Sequence, residues 1–234
     1  MDIARAVGYP FKDPNFLVKI LIGAVINFIP IVNFIAYGYN LRAVKEVMAG
    51  REEAMPEWDD WGGDFMRGLM LFAGYLLYFL PVILLSCCQS LLSTAAGSDG
   101  GAATVATLIS CCFSLIILVY SVLVMPLLMS AGVQYALTED FSGAFLNFQA
   151  RYNDVMTHLS DSVIYVLILF LASFVLGIAI FITIFLCLLG LVVAFVGNLT
   201  LSHILAQYGL ALYGAQGGGQ VPPAPSSPGD LAFA

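Results

Sequence analysis

SVIYVLILFLASFVLGIAIFITIFLCLLGLVVAFVGNLTLSHILAQYGLALY, residues 162–213, carries no acidic or basic side chain except His203. A helix crosses the roughly 30 Å hydrocarbon core of a bilayer in about 20 apolar residues. This stretch therefore holds two crossings, with a tight turn expected near Leu188 to Leu191. Three more charge-free stretches precede it: between Lys19 and Arg42, between Arg67 and Asp99, and between Asp99 and Glu139. Each is long enough to cross. The apolar residues fill whole segments and do not mark out one face, as lipid-facing helices require. The solvent of this chain is a membrane.

The composition agrees. Of 234 residues, 61% are hydrophobic and 10% charged, against about 45–50% and 25% in soluble domains. A net charge of −7 lacks the basic patch that nucleic acid requires, so membrane lipid is the expected partner, with another membrane protein as a second. Much of the negative charge lies between Glu52 and Asp64. The N-terminus does not read as a cleaved leader, because Asp2, Asp13 and Pro14 interrupt it and no small-residue cleavage site follows. The five cysteines, Cys87, Cys88, Cys111, Cys112 and Cys187, lie in apolar runs without disulfide or zinc-finger spacing.

The run from Leu17 to Tyr39 poses the topological problem. Pro30 interrupts it, and an interior proline removes a backbone hydrogen bond and breaks or kinks a helix. Arg5 and Lys12 lie before the run and Lys19 at its start; Arg42, Lys45, Arg51 and Arg67 lie after it. One crossing would put these groups on opposite faces, against the positive-inside bias. A hairpin broken at Ile29-Pro30-Ile31 keeps them together, with arms of about 13 residues, roughly 20 Å, too short to span. The expectation is an all-α polytopic membrane bundle: four spanning helices plus an N-terminal re-entrant hairpin, with five spanning helices as the alternative. It places residues 1–213 in the membrane domain, residues 214–234 in a disordered Gly/Pro-rich tail, and both termini on the cytoplasmic side of the cell membrane.

Local signals refine this. Asp13-Pro14 suits a helix start, and a helix through Leu41, Val44 and Met48 should stop at Gly50. Helices over 68–92 and 102–137 contain Pro81 and Pro126 as expected kinks, joined by the turn 93–101. Phe141, Phe145, Phe148, Tyr152, Val155 and Leu159 recur every three or four residues, predicting one amphipathic helix at the interface or packed on the bundle. Thr138 is its candidate N-cap, and Asp161 is a candidate cap for the helix that follows.

Several patterns resemble the domain of unknown function 4013 family, prokaryotic multi-pass membrane proteins. They are Tyr9-Pro10-Phe11-Lys12-Asp13, Ile29-Pro30-Ile31-Val32, Pro56-Glu57-Trp58-Asp59-Asp60-Trp61, and Ser202-His203-Ile204-Leu205-Ala206-Gln207-Tyr208. The likeness covers roughly Ala4 to Tyr213 and implies a multi-pass fold. It implies no activity.

Three places could carry chemistry. Glu57, Trp58, Asp59, Asp60, Trp61 and Asp64 form an acidic aromatic loop. Its tryptophans suit the interface and its acids suit a helix start; the sharper reading is a partner-docking or cation loop. Ser86-Cys87-Cys88-Gln89-Ser90 and Ser110-Cys111-Cys112-Phe113-Ser114 repeat one pattern about Gly100. In an antiparallel hairpin, residues whose numbers sum to about 200 share a depth, which predicts close packing through small residues or a thiol site. Asn198, His203 and Gln207 form a possible intramembrane polar site.

No phosphate loop, zinc-protease or serine-hydrolase motif occurs, and no cofactor is implied. The leading expectation is a non-catalytic binding or scaffolding module. A small channel or transporter comes second, on the strength of its proline-broken helices, and a lipid-acting enzyme third.

Overall fold

The computed structural model describes residues 2–51, 54–97, 100–183 and 188–214, and every regular element among them is helical. The helices are α1 (Ile3–Gly8), α2 (Phe16–Phe28), α3 (Asn33–Met48), α4 (Trp61–Ala96), α5 (Gly101–Thr138), α6 (Phe148–Thr157), α7 (Leu159–Thr183) and α8 (Leu188–Gly209). A 3-10 turn covers Tyr9–Phe11, and π-helical turns cover Ser142–Leu146 and Leu210–Gly214. The protein is a polytopic membrane helical bundle. Among the described residues four segments are long and apolar enough to cross, namely α4, α5, α7 and Leu189–Gly214. They run alternately away from and back to one end of the bundle, and that end carries all eight lysines and arginines of the chain. At this charged end, the amide nitrogen of Asp2 donates to Gln207 Oε1 and Gln207 Nε2 donates back to the Asp2 carbonyl.

The core forms around α8. Of its apolar window 44% is buried, against 6% for α5, because α2, α3 and α7 all pack on it. A helix that is apolar on every side needs such company or lipid. Phe195, Leu199, Ile204 and Tyr208 are fully enclosed.

The break at Pro30 is real and sharp. Ile29 is extended, with φ −86° and ψ 116°, and Ile31 takes a left-handed φ of 71° that β-branched residues rarely adopt. The chain then turns back along α4. Gly68 lies against the Phe34 carbonyl and Gly38 against the Asp64 carbonyl, where any β-carbon would collide with backbone. This fixes an antiparallel register, and Phe34 also meets Phe72 with ring centroids 5.3 Å apart. At 1.5 Å per residue, Phe72 lies roughly 16 Å along α4, and about 36 Å of that helix continue beyond it. The turn stops part-way. Residues before and after the break meet at the charged end, where Trp58 Nε1 donates to the Lys19 carbonyl. Residues 17–39 thus form two helices folded back on each other, and neither is among the four segments long and apolar enough to cross. α3 ends as its sequence predicts: Gly50 takes φ +79°, and the Arg51 amide bonds to the Glu46 carbonyl, a Schellman closure.

α4 and α5 form a long hairpin in the predicted depth register. Tyr120 Oη donates to the Tyr78 carbonyl at 2.7 Å and Gln89 Nε2 to Ser114 Oγ at 3.3 Å. Pro81 and Pro126 lie inside helices that continue through them.

The predicted amphipathic helix is not one helix. The π-helical turn Ser142–Leu146 is capped by Asp140, whose carboxylate accepts from the Ser142 and Gly143 amides. Asn147 then breaks the run and caps α6 by accepting from the Ala150 amide. Thr138 is the last residue of α5, and its hydroxyl donates back to the Gln134 carbonyl. Asx capping outcompeted the apolar period here. Likewise Leu188 to Leu191 belong to the start of α8; the connection 184–187, with Cys187, lies outside the described residues, as do Asp99 and the tail 215–234.

Candidate functional site

The acidic aromatic loop is built into the charged end by the basic residues around it. Lys19, 3% exposed, donates from Nζ to Asp13 Oδ2 at 2.7 Å, to the Met55 carbonyl at 2.9 Å and to Glu57 Oε1 at 2.6 Å. The Met55 amide donates to the same Asp13 carboxylate. Burial pushes the Asp13 carboxyl up, but the Lys19 ammonium and the Asn15 and Met55 amides outweigh it and hold its pKa below the ordinary value. Between the two ionic groups, Trp58 stacks on Tyr39 at 3.9 Å. Tyr39 Oη donates to the Pro56 carbonyl.

The second ionic group centres on Asp64, which is 1% exposed. Arg42 grips it through both carboxylate oxygens, Nε to Oδ1 at 2.8 Å and Nη2 to Oδ2 at 2.6 Å. The remaining Arg42 donors reach Asp59 Oδ1 and the Glu57 carbonyl, each at 2.8 Å. Arg67 binds Asp60 Oδ2 at 2.8 Å and Asp64 Oδ1 at 3.1 Å, and its Nε lies 3.3 Å from Glu139. Asp60 also caps α4 by accepting from the Gly63 amide. The Arg42 guanidinium lowers the Asp59 pKa, and the Arg67 guanidinium lowers that of Asp60. A bidentate guanidinium on a buried carboxylate is a directional clamp. One arginine thus ties α3, the loop and α4 together.

This arrangement answers the sequence readings residue by residue. Glu57, Asp59, Asp60 and Asp64 each face an internal cation. Among the described residues no three His, Cys, Asp or Glu side chains come together as a metal site. Trp58 packs inward while Trp61 is 45% exposed, placed as an interfacial anchor. Neither Asp59 nor Asp60 takes a histidine partner in its hydrogen bonds.

The repeated serine and cysteine pattern meets across the hairpin only in part. The less exposed stripe on α4 runs through Val82, Leu85, Gln89, Leu92 and Ala96, and on α5 through Ala103, Ala106, Ser110, Phe113, Ile117 and Tyr120. Ser110 is on that stripe. Ser86, Cys87, Cys88, Ser90, Cys111, Cys112 and Ser114 are exposed, and the four cysteines are free thiols. The close packing uses apolar residues and alanines together with Gln89 and Ser110, because the cysteines lie off the contact period.

His203 and Gln207 do meet, with Gln207 Nε2 3.1 Å from His203 Nδ1. His203 is 1% exposed and its ring lies 5.3 Å from that of Tyr9. With Asp2, Arg5, Tyr165, Leu210 and Ala211 they line an open polar cavity of about 470 Å³. Asn198 sits deeper along α8 and does not line it.

Two features had no clear sequence signal. The first is a polar group in which Ser130 Oγ and Tyr213 Oη donate to Asp154 Oδ2 at 3.0 and 3.2 Å, while buried Arg151 lies 3.4 Å from the same oxygen. It joins α5, α6 and the π-helical turn Leu210–Gly214. The second is an apolar groove of about 550 Å³. Ile3, Val7, Phe11 and Leu17 wall it on one side, α7 from Ile168 to Ala179 on another, and α8 from Val192 to Ile204 forms the floor.

These features define a multi-pass α-helical membrane protein with its basic residues gathered at one end. Residues 21–189 match the family described as "Protein of unknown function (DUF4013)". The chain belongs to that family. The Pro30 break and the Trp58–Trp61 loop fall inside the matched range, and the lead-in 9–13 and the ending 202–208 fall outside it. No curated protein and no solved structure matches the chain.

Proposed function

We propose that this protein is a non-catalytic lipid-binding module of the cell membrane, with both termini cytoplasmic and the α2–α3 hairpin re-entering from that side. The groove between α1–α2, α7 and α8 carries the reading: about 550 Å³ of almost wholly apolar space is within the usual range of roughly 300–1,000 Å³ for ligand sites. Its rim is apolar too, with Ile3, Val7, Leu17, Leu21 and Val25 each more than half exposed, a surface that lies in lipid. Sidedness follows from the gathering of all eight basic residues at one end, since basic groups stay cytoplasmic. Transport is less well supported, because Asn27, Asn33, Gln89, Gln134 and Asn198 line neither the groove nor the polar cavity.

Val175→Trp fills the groove from α7, where Val175 is 58% exposed, and Leu118→Trp on α5 serves as an off-groove control. In mild detergent the groove variant should copurify at least about tenfold less tightly held lipid than the control, the equivalent of two methylenes at roughly 0.8 kcal/mol each. Equal retention by quantitative lipid mass spectrometry rejects the reading.

Sidedness has its own test. In a background without native cysteines, an impermeant thiol reagent applied outside intact cells should label Ala95→Cys and leave Gln149→Cys unlabelled. The opposite pattern reverses the topology.

A further inference from the structure

The tip of the α2–α3 hairpin is ill matched to lipid. With the hairpin re-entering the membrane, its irregular turn over 29–32 lies where hydrocarbon supplies no hydrogen bonds. Pro30 has no amide hydrogen, and among the described residues the Ile31 and Val32 amides make no hydrogen bond. The side-chain amides of Asn27 and Asn33, half-buried on either side of the turn, make none either. An amide left unpaired in an apolar medium is costly. Irregular backbone at such depth persists only where protein covers it or where it lines water.

Water is the poorer cover. Phe28, Ile29, Pro30 and Ile31 are all exposed, Phe28 at 67% and Ile31 at 69%, and a water-filled space would hold these apolar side chains against water. Ile31 also keeps its left-handed φ of 71°, a conformation that costs glycine nothing and a β-branched residue strain. The strained position thus presents an apolar side chain outward. The cover must therefore offer apolar contact and hydrogen bonds together, as a protein surface does. The tip itself has that composition. A carboxamide both donates and accepts, so two tips related by a twofold axis complement each other. Hydrogen bonds between asparagine side chains join helices within membranes. We propose that two copies of this chain associate tip to tip inside the membrane, the Asn27 and Asn33 amides of each copy bonding to the turn of the other. The proposal rests on the re-entrant placement of the hairpin given above and adds to it what the tip meets.

The test uses the full-length protein in proteoliposomes, without native cysteines and labelled with donor or acceptor dye at Gln149→Cys. Energy transfer between copies should persist as the protein is diluted in lipid. Asn27→Leu combined with Asn33→Leu should raise the dissociation constant at least about tenfold, a difference of about 1.4 kcal/mol. Leu118→Ala, on α5 and away from the tip, should leave it unchanged. Both tryptophans lie in the loop 51–64, so their fluorescence reports whether the double variant is folded. Independently of that variant, mild oxidation should cross-link Ile29→Cys or Ile31→Cys into a dimer and leave Leu118→Cys monomeric. Loss of energy transfer on dilution, transfer unchanged in the folded double variant, or no cross-link at either tip position overturns the proposal. Ile31→Cys in open membrane fragments separates the two readings. If an impermeant thiol reagent labels it as fast as Gln149→Cys, the tip lies in water, and re-entry falls with the dimer. If it stays unlabelled and no energy transfer is seen, re-entry stands and the dimer alone is rejected.

Discussion

Arg42→Leu should unfold the charged end at a cost of about 3–5 kcal/mol, the usual penalty for removing one partner of a buried ion pair. Asp64 is almost inaccessible, and Arg42 supplies two of the three hydrogen bonds to its carboxylate. Without it, Arg67 alone must neutralise the buried charge from one side. The same substitution frees the Asp59 carboxylate and the Glu57 carbonyl, so the loop loses its hold on α3. Both tryptophans of the chain lie in this loop, which makes intrinsic fluorescence during thermal unfolding in detergent the direct measurement. Arg42→Lys should rescue little, because an ammonium cannot reproduce the fork. Arg42→Leu combined with Asp64→Leu should recover most of the loss, since an apolar pair of similar volume avoids the uncompensated charge. A single variant within about 1 kcal/mol of the parent would show that water reaches Asp64 and that the clamp is ornamental.

Phe195→Ala is the second large effect, at about 3–5 kcal/mol for deleting a buried aromatic ring. Phe195 is wholly buried and wedges between the two arms of the hairpin. A β-carbon on Gly23 would land on its ring, and its centroid lies 6.1 Å from Tyr39 and 6.0 Å from Trp58. Gly23→Ala should therefore destabilise the parent despite the better helix propensity of alanine. In the Phe195→Ala background the same change should be neutral or stabilising, because it enters the space the ring left. The cycle should give a coupling of about 0.5–3 kcal/mol, measured as the shift in unfolding midpoint. Additive effects would mean that Phe195 and Gly23 do not share that space.

Much of the charged end was half-visible beforehand. Asp60 at the start of α4 and Gly50 at the end of α3 carry local signals that need no partner: an acid accepting from a helix N-terminus and a glycine that tolerates positive φ. The partners of the loop were not visible. Lys19 and Arg42 stand out in the sequence only as sidedness markers, and nothing local says that Lys19 closes on Asp13, Met55 and Glu57. The cysteine repeat shows the converse. Its spacing about Gly100 predicts the depth register correctly, but the contact stripe is set by helix rotation, which symmetry about a turn leaves open. The aromatic stripe 141–159 failed for another reason. A period of three to four describes one helix face, and Asp140 and Asn147 offered the backbone better local hydrogen bonds than continuation did.

Length and hydropathy along the chain determined the solvent and the number of crossings, because backbone in hydrocarbon must satisfy its own hydrogen bonds within each segment, and Pro30, which has no amide hydrogen to donate, determined the break. Tertiary structure alone decided which ions pair, which face of each helix meets lipid, and that an apolar groove lies between α1, α2, α7 and α8. Those outcomes depend on rotations and contacts between segments far apart in the chain, and residue order does not encode them locally.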